Sequence, residues 1–176
     1  APAGRTTVAW RSDSARVADM PITDLVNEVM RRASGAQLSA TAAFSLEAAL
    51  DTGAITLAAL SRLYPYENTL RVVKLSGAQL RAFLEHSARY YRSLDGNGQA
   101  PDGGIVDPTI PGFNFDMVSG ADYTLDLRQP VGARVTALSV NGRPVTAADT
   151  FTLALNNYRA SGGGGYTMLA GAPASI

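Results

Sequence analysis

The sequence predicts a single α+β domain in which early helices pack on a mixed, largely antiparallel sheet. Three observations carry this. Apolar residues recur at helical spacing after Pro21 and again after Ser76. In the last third they alternate with polar residues, as in half-buried strands. Of the 176 residues, 46% are hydrophobic, enough for one sizeable core. No internal repeat is visible.

The elements follow in order. Residues 1–20 read as an N-terminal irregular segment, with Trp10 as the large side chain able to dock it on the core. The domain proper spans residues 21–176. Pro21 opens a helix with Ile22, Leu25, Val26, Val29 and Met30 on one face. Asp24 and Glu28 lie early and Arg31 and Arg32 late, which suits the helix dipole, and Gly35 ends it. Residues 37–44 are small and apolar, a buried strand running into a turn. Thr56 caps a short helix that reaches Leu63. Pro65-Tyr66-Glu67-Asn68 breaks that helix. Leu70, Val72, Val73 and Leu75 then make a strand. Ser76 and Gln79 form a capping box for a helix with Leu80, Phe83, Leu84, Ser87, Ala88 and Tyr91 along its apolar face. Residues 93–111 are rich in Gly, Asp, Pro and Asn and read as a mobile loop. Tyr123, Leu125 and Leu127 alternate with polar residues. Residues 135–140 make another strand, which Asn141-Gly142 turns back as a hairpin. Phe151, Leu153 and Leu155 form the last strand. It leads to Asn157-Tyr158-Arg159 and the run from Gly162 to Gly165.

Composition excludes several functions. Fifteen basic and fifteen acidic residues give a net charge of zero, which argues against binding a nucleic-acid polymer. No apolar run approaches the roughly 18 residues of a membrane helix. Cysteine is absent, so disulfides and zinc–thiolate sites are excluded. The single histidine, His86, rules out a histidine-cluster metal site, and any Ser-His-Asp triad would have to use it. The chain starts at Ala1 without a signal peptide and reads as a mature or trimmed piece.

Two segments are candidates for chemistry. Four successive glycines let backbone approach a ligand closely and expose N–H groups. No Lys-Ser/Thr follows, so this is not a phosphate loop; the alternative is a flexible connector. Pro65-Tyr66-Glu67-Asn68 puts an aromatic ring and an amide at a helix-to-strand turn. That pair suits a purine or pyrimidine, through stacking and edge hydrogen bonds; the alternative is an ordinary turn with a half-buried tyrosine. His86 falls off its helix's apolar face and reads as exposed or helix-packed rather than as a base. Asp102, Asp107, Asp116, Asp122 and Asp126 look clustered but read as solvated turns. Tyr90 and Tyr91 read as core and rim.

Four stretches carry a family resemblance. They are Leu63-Tyr64-Pro65-Tyr66-Glu67-Asn68-Thr69-Leu70; the helix start Leu75-Ser76-Gly77-Ala78-Gln79-Leu80 with Leu84-Glu85-His86-Ser87-Ala88; Ile110-Pro111-Gly112-Phe113-Asn114-Phe115-Asp116 with the segment from Gly120 to Asp126; and Asn156-Asn157-Tyr158-Arg159-Ala160-Ser161-Gly162-Gly163. In order and spacing the chain resembles the C-terminal domain of the 5′-nucleotidase family. Within it, the chain is most similar to the bifunctional 2′,3′-cyclic-nucleotide 2′-phosphodiesterase/3′-nucleotidases. The resemblance implies a division of labour. An N-terminal metallophosphatase domain, absent from this chain, holds two divalent metal ions and does the chemistry. The C-terminal domain binds the nucleoside part and rotates to deliver the phosphate. Tyr66 and Tyr158 would sandwich the base and Asn68 would bond its edge. Asn157, Arg159, Gly163 and Gly164 would lie around the sugar or phosphate. No catalytic residue, metal ligand or cofactor is expected in this chain itself. The partners implied are a nucleotide or nucleoside and the metallophosphatase domain of the same full-length protein, in a secreted, periplasmic or cell-surface setting.

Two elements differ from the 5′-nucleotidase pattern. Where it has Asn-Gly-Gly-x-Arg, with a phosphate-binding arginine, this chain has Ala40-Thr41-Ala42-Ala43-Phe44-Ser45. Where it has Gly-Gly-Asp-Gly-Tyr, with a ribose-binding acid, Gly164 stands in the acid's place. Both differences favour the cyclic phosphodiesterase branch. The rival readings are a stand-alone nucleoside-binding module and an interaction domain with an empty pocket.

Overall fold

The computed structural model describes residues 2–175. Two short strands, β1 (Pro2–Thr6) and β2 (Trp10–Arg11), precede helix α1 (Pro21–Ser34) and strand β3 (Leu38–Ala42). Strands β4 (Ala49–Leu50) and β5 (Gly53–Thr56) lead to helix α2 (Leu57–Leu63), strand β6 (Leu70–Ser76) and helix α3 (Gly77–Ala88). After a long loop come β7 (Asp116–Ser119), β8 (Asp122–Leu125), β9 (Val135–Val140), β10 (Arg143–Pro144) and β11 (Thr150–Asn156). A one-turn helix, α4 (Asn157–Ala160), and a last strand, β12 (Ala174–Ser175), complete the chain. This is the α+β architecture that the sequence predicts.

The central sheet has the order β12-β6-β11-β3-β7. Its one parallel pair is β11 with β3; the other neighbours are antiparallel. Leu38, Val73, Leu75, Leu153 and Leu155 leave one face and join Leu80, Phe83 and Leu84 of α3 in the main core, with Val135, Leu138 and Val140 of the small β10-β9-β8 sheet. Val72 and Ala154 leave the other face and pack with Ala36 and Met30. The sheet is therefore covered on both sides, and its ends are where side chains reach solvent.

Local rules place the helix ends. Ser76 Oγ accepts from Gln79 N while Gln79 Oε1 accepts from Ser76 N, the reciprocal box that fixes the start of α3. Gly35, at φ 68°, closes α1 by donating to Arg31 O. Asn141 and Gly142, at φ 51° and 73°, make the tight turn between β9 and β10.

Three features depart from the sequence reading. The first segment is not irregular: β1 pairs with β5 and β2 with β4. Secondly, β7 has no counterpart in the sequence pattern. Thirdly, α1 does not bury all of its apolar stripe. Ile22, Thr23 and Asn27 face the sheet, whereas Val29 is exposed and Leu25, Val26 and Met30 line an open apolar groove. Asn27 sets this rotation. Its Oδ1 and backbone carbonyl accept from Ser39 Oγ, and its amide donates to Met117 O. Turning the helix to bury Val29 would strand those buried polar groups.

Candidate functional site

The site begins with sheet register. Leu70, at the start of β6, pairs with Asn156, at the end of β11. The turn before β6 and the helix after β11 therefore emerge side by side. One more exchange extends the ladder. Asn157 N donates to Thr69 O at 2.9 Å, and Thr69 N donates to Asn157 Oδ1 at 2.9 Å. Asn156 Oδ1 accepts from Arg159 N and caps α4. These bonds place Tyr66 and Tyr158 on adjacent segments.

Both tyrosines line one cavity of about 260 Å³, with Asn68, Asn156, Arg159, Phe44 and Phe113. Tyr66 is 50% exposed and Tyr158 is 48% exposed. Two large rings left half in water on one cleft give it an apolar surface that a flat ligand could cover. Phe44 braces Tyr66 edge-on, with ring centroids 5.2 Å apart, and Tyr64 packs on Phe44 at 4.8 Å. Asn68 is half-buried at the edge of the cleft, its amide 3.5 Å from Tyr64 Oη. Wider cavities exist, but the apolar groove along α1 offers few polar groups, and the one beside α1 and β7 is not lined by two half-exposed rings.

The remaining predicted residues are placed differently. Arg159 lines the cleft but is 2% exposed. Its Nε and Nη2 donate to the two Asp116 carboxylate oxygens at 2.6 and 3.2 Å. Its Nη1 donates to Gly163 O and Asn114 Oδ1, and Nη2 also to Phe113 O. All five guanidinium donors are engaged, so none is left for a sugar or phosphate. Burial pushes the Asp116 carboxyl above its ordinary range, and the arginine opposes that shift.

The glycines sit against the protein's own side chains. A side chain at Gly163 would strike the Tyr158 ring, and one at Gly164 would strike Asn114 and Arg159. The room these glycines leave is filled by the protein itself: Tyr158 lies against the loop and Arg159 sits beneath it. Asn157, with Gly163 and Gly164, lies outside the cavity lining and holds the walls together.

His86 packs on Tyr166 with centroids 4.4 Å apart. Its Nε2 donates to Gly164 O at 2.9 Å, and Arg89 Nη1 donates to its Nδ1 at 3.3 Å. Burial lowers its pKa, helped by the charges of Arg89 and Arg159. Sequence reasoning missed Phe44 and Phe113 as lining residues. The signal for Phe113 was an aromatic ring directly after Pro111-Gly112, a turn pair at the end of the Gly- and Asp-rich loop.

Among the described residues, no group of three or more His, Cys, Asp or Glu side chains is placed to hold a metal ion. With His86 bonded on both ring nitrogens, the residues present do not fit a two-metal centre. No helix of the described residues is long and apolar enough to cross a membrane.

The fold and the site together define an α+β domain with an aromatic, amide-edged cleft and no metal-ligand cluster among the described residues. The chain belongs to the 5′-nucleotidase C-terminal domain family, which it matches over residues 2–171. It is 35% identical over 126 residues to the 2′,3′-cyclic-nucleotide 2′-phosphodiesterase/3′-nucleotidase of Salmonella typhimurium, covering 65% of this chain and 20% of that protein. A candidate 5′-nucleotidase from Staphylococcus aureus, solved in complex with alpha-ketoglutarate, superposes with a TM-score of 0.83 at 32% identity, covering 97% of this chain and 34% of that one. A 5′-nucleotidase precursor from Thermus thermophilus gives 0.77 at 25% identity, covering 99% and 33%. The chain thus spans 20% of that curated relative and about a third of each solved chain.

Proposed function

We propose that this domain recognises the nucleobase and nucleoside part of a nucleotide on behalf of a metal-dependent nucleotide hydrolase. The hydrolase is of the 5′-nucleotidase, 2′,3′-cyclic phosphodiesterase or 3′-nucleotidase kind. The reaction belongs to a metallophosphatase domain of the same full-length protein, secreted, periplasmic or at the cell surface, and this chain alone is inactive. The observation that carries the reading is that Tyr66 and Tyr158, each half-exposed, line one cleft with Asn68 at its edge. The rings stack on the two faces of the base, and the amide bonds its edge. Asn157, Gly163 and Gly164 shape the loop beside the sugar or phosphate. Arg159 contributes by holding that loop rather than by donating to the ligand.

Stacking is worth roughly 1–3 kcal/mol per base and tolerates several bases. Half a cleft without its catalytic domain binds weakly, about micromolar to millimolar. The test is calorimetric titration of the domain with adenosine and with adenosine 2′,3′-cyclic phosphate. Tyr66→Ala and Tyr158→Ala are each expected to weaken binding by about 5- to 100-fold while leaving the thermal midpoint nearly unchanged. Folded variants that bind as well as the parent would overturn the reading.

A further inference from the structure

We infer that Phe113 is a specificity-determining residue of the cleft, meeting the edge of a bound base and favouring two-ring purines over one-ring pyrimidines. This rests on the nucleobase reading above. Phe113 comes from a third chain segment, the short 3₁₀ turn Gly112–Asn114, and not from the two that carry the tyrosines. It lines the same cavity and is 37% exposed.

An exposed aromatic ring on a long loop ordinarily collapses onto the nearest apolar surface. Here the backbone is held on both sides of the ring. Arg159 Nη2 donates to Phe113 O at 2.7 Å. Tyr166 Oη donates to Asn114 O at 2.9 Å, and Asn114 N donates to Pro111 O at 2.8 Å. On the other side, the space above Gly112 is filled by the Arg16 guanidinium. That guanidinium donates in turn to Ala43 O at 3.0 and 2.8 Å and to Phe44 O at 3.2 Å. The two phenylalanine-bearing loops are thus tied to each other through Arg16, and Phe113 is tied to the Tyr158 loop through Arg159. The backbone that carries the ring is held in place before any ligand arrives.

Discrimination among bases has to come from the edges, because every base offers a π-face to the tyrosines. Besides the two tyrosines, the cleft is lined by the Asn68 and Asn156 amides, by Arg159 and by the two apolar rings, Phe44 and Phe113. Asn156 Oδ1 is taken by the cap of α4 and the guanidinium by Asp116 and the loop carbonyls. A purine carries its second ring, with apolar C–H edges, outward from the stacked pair. A pyrimidine ends sooner and leaves the facing ring without partner atoms, which forfeits dispersion contact.

The experiment is titration of the domain with adenosine and cytidine, for the parent, Phe113→Ala and Phe113→Tyr. The parent is expected to bind adenosine about 10-fold tighter than cytidine, the lower end of what a small apolar contact discriminates. Phe113→Ala should bring the two within about 2-fold, chiefly by weakening adenosine, and Phe113→Tyr should restore the preference. A merely structural role would move both affinities together, along with the thermal midpoint. A parent without preference, or a ratio unchanged in Phe113→Ala, overturns this inference alone, provided that Tyr66→Ala and Tyr158→Ala still weaken both ligands. If those two variants bind as the parent does, or the parent binds neither ligand, the nucleobase reading falls and this inference with it.

Discussion

Arg159 and Asp116 form an ion pair in which the two side chains are only 2% and 3% exposed. The arginine also lies 4.0 Å over the Tyr166 ring. Charges taken out of water are costly unless every hydrogen-bonding group is met, and here each guanidinium donor is met. Removing one partner is far worse than removing both. Arg159→Met or Asp116→Asn should cost about 3–5 kcal/mol, and the double variant less than the two effects combined. Urea unfolding midpoints check this; a loss below about 1 kcal/mol in either single variant would be incompatible with it.

Gly164 and Gly171 separate backbone conformation from space. Both have positive φ, 72° and 75°. A side chain at Gly164 meets Asn114 and Arg159, whereas one at Gly171 meets open solvent. Gly171→Ala should cost about 1 kcal/mol, the strain of the left-handed conformation alone. Gly164→Ala should cost clearly more, because it also pushes on the buried arginine. Equal midpoints for the two variants would show that the loop yields freely.

Ligand counting makes a catalytic prediction. With no cluster of three metal-binding side chains among the described residues, the purified chain should not hydrolyse adenosine 2′,3′-cyclic phosphate or p-nitrophenyl phosphate with added Mn²⁺, Co²⁺ or Zn²⁺. Metal-dependent turnover that co-purifies with the chain would contradict the proposed division of labour.

His86 supplies a pH dependence. Its folded pKa lies below the ordinary 6.5, mainly through burial. Between the folded value and 6.5 the unfolded chain binds more protons than the folded one, so stability falls with falling pH across that window. The contribution is fully present above 6.5 and fully lost below the folded pKa. Nδ1 must also stop accepting from Arg89 when it takes the proton, with Arg159 and the Tyr166 ring close by. Unfolding midpoints measured from pH 7.5 to 5 should fall less steeply in His86→Gln. Identical slopes would remove His86 from the account.

Residues 95–104 are exposed throughout. Arg92 Nη1 donates to Asp102 O within them, and the chain is fastened on either side by Arg92 N to Ile105 O and Leu94 N to Leu127 O. Limited proteolysis should cut there first. Earliest cuts within β6 or α3 would refute it.

Local chemistry was readable from the sequence wherever neighbours in the chain decide it. The Ser76–Gln79 box, the Asn141-Gly142 turn and the stop at Gly35 each lie within a few residues of what they control. Tyr66 and Asn68 could be singled out as a ring and an amide at a helix break, and Tyr158 through the family resemblance of its Asn-Tyr-Arg segment. What escaped depends on partners far away in sequence. Arg159 reads as a ligand-binding cation until Asp116, 43 positions earlier, is seen beside it. That same buried carboxylate hid β7, since a charged residue in a short strand defeats any alternation. Pairing of β1 with β5 escaped because Ala3, Gly4, Gly53 and Ala54 show no period. Asn27 faces the sheet only because Ser39 and Met117 receive it.

The order of the central sheet has a consequence for how the chain holds together in time. Strands β6 and β3 come before the long loop, and β12, β11 and β7 come after it. Every pairing in that sheet therefore joins the first half of the polypeptide to the second, like interlaced fingers, and neither half owns a neighbouring pair. During synthesis the sheet has to wait for residues beyond 116 to emerge. Once it is formed, a cut in the loop frees nothing. It leaves a two-piece protein with Tyr66 on one fragment and Tyr158 on the other. The cleft should survive such a nick for as long as the halves stay interleaved.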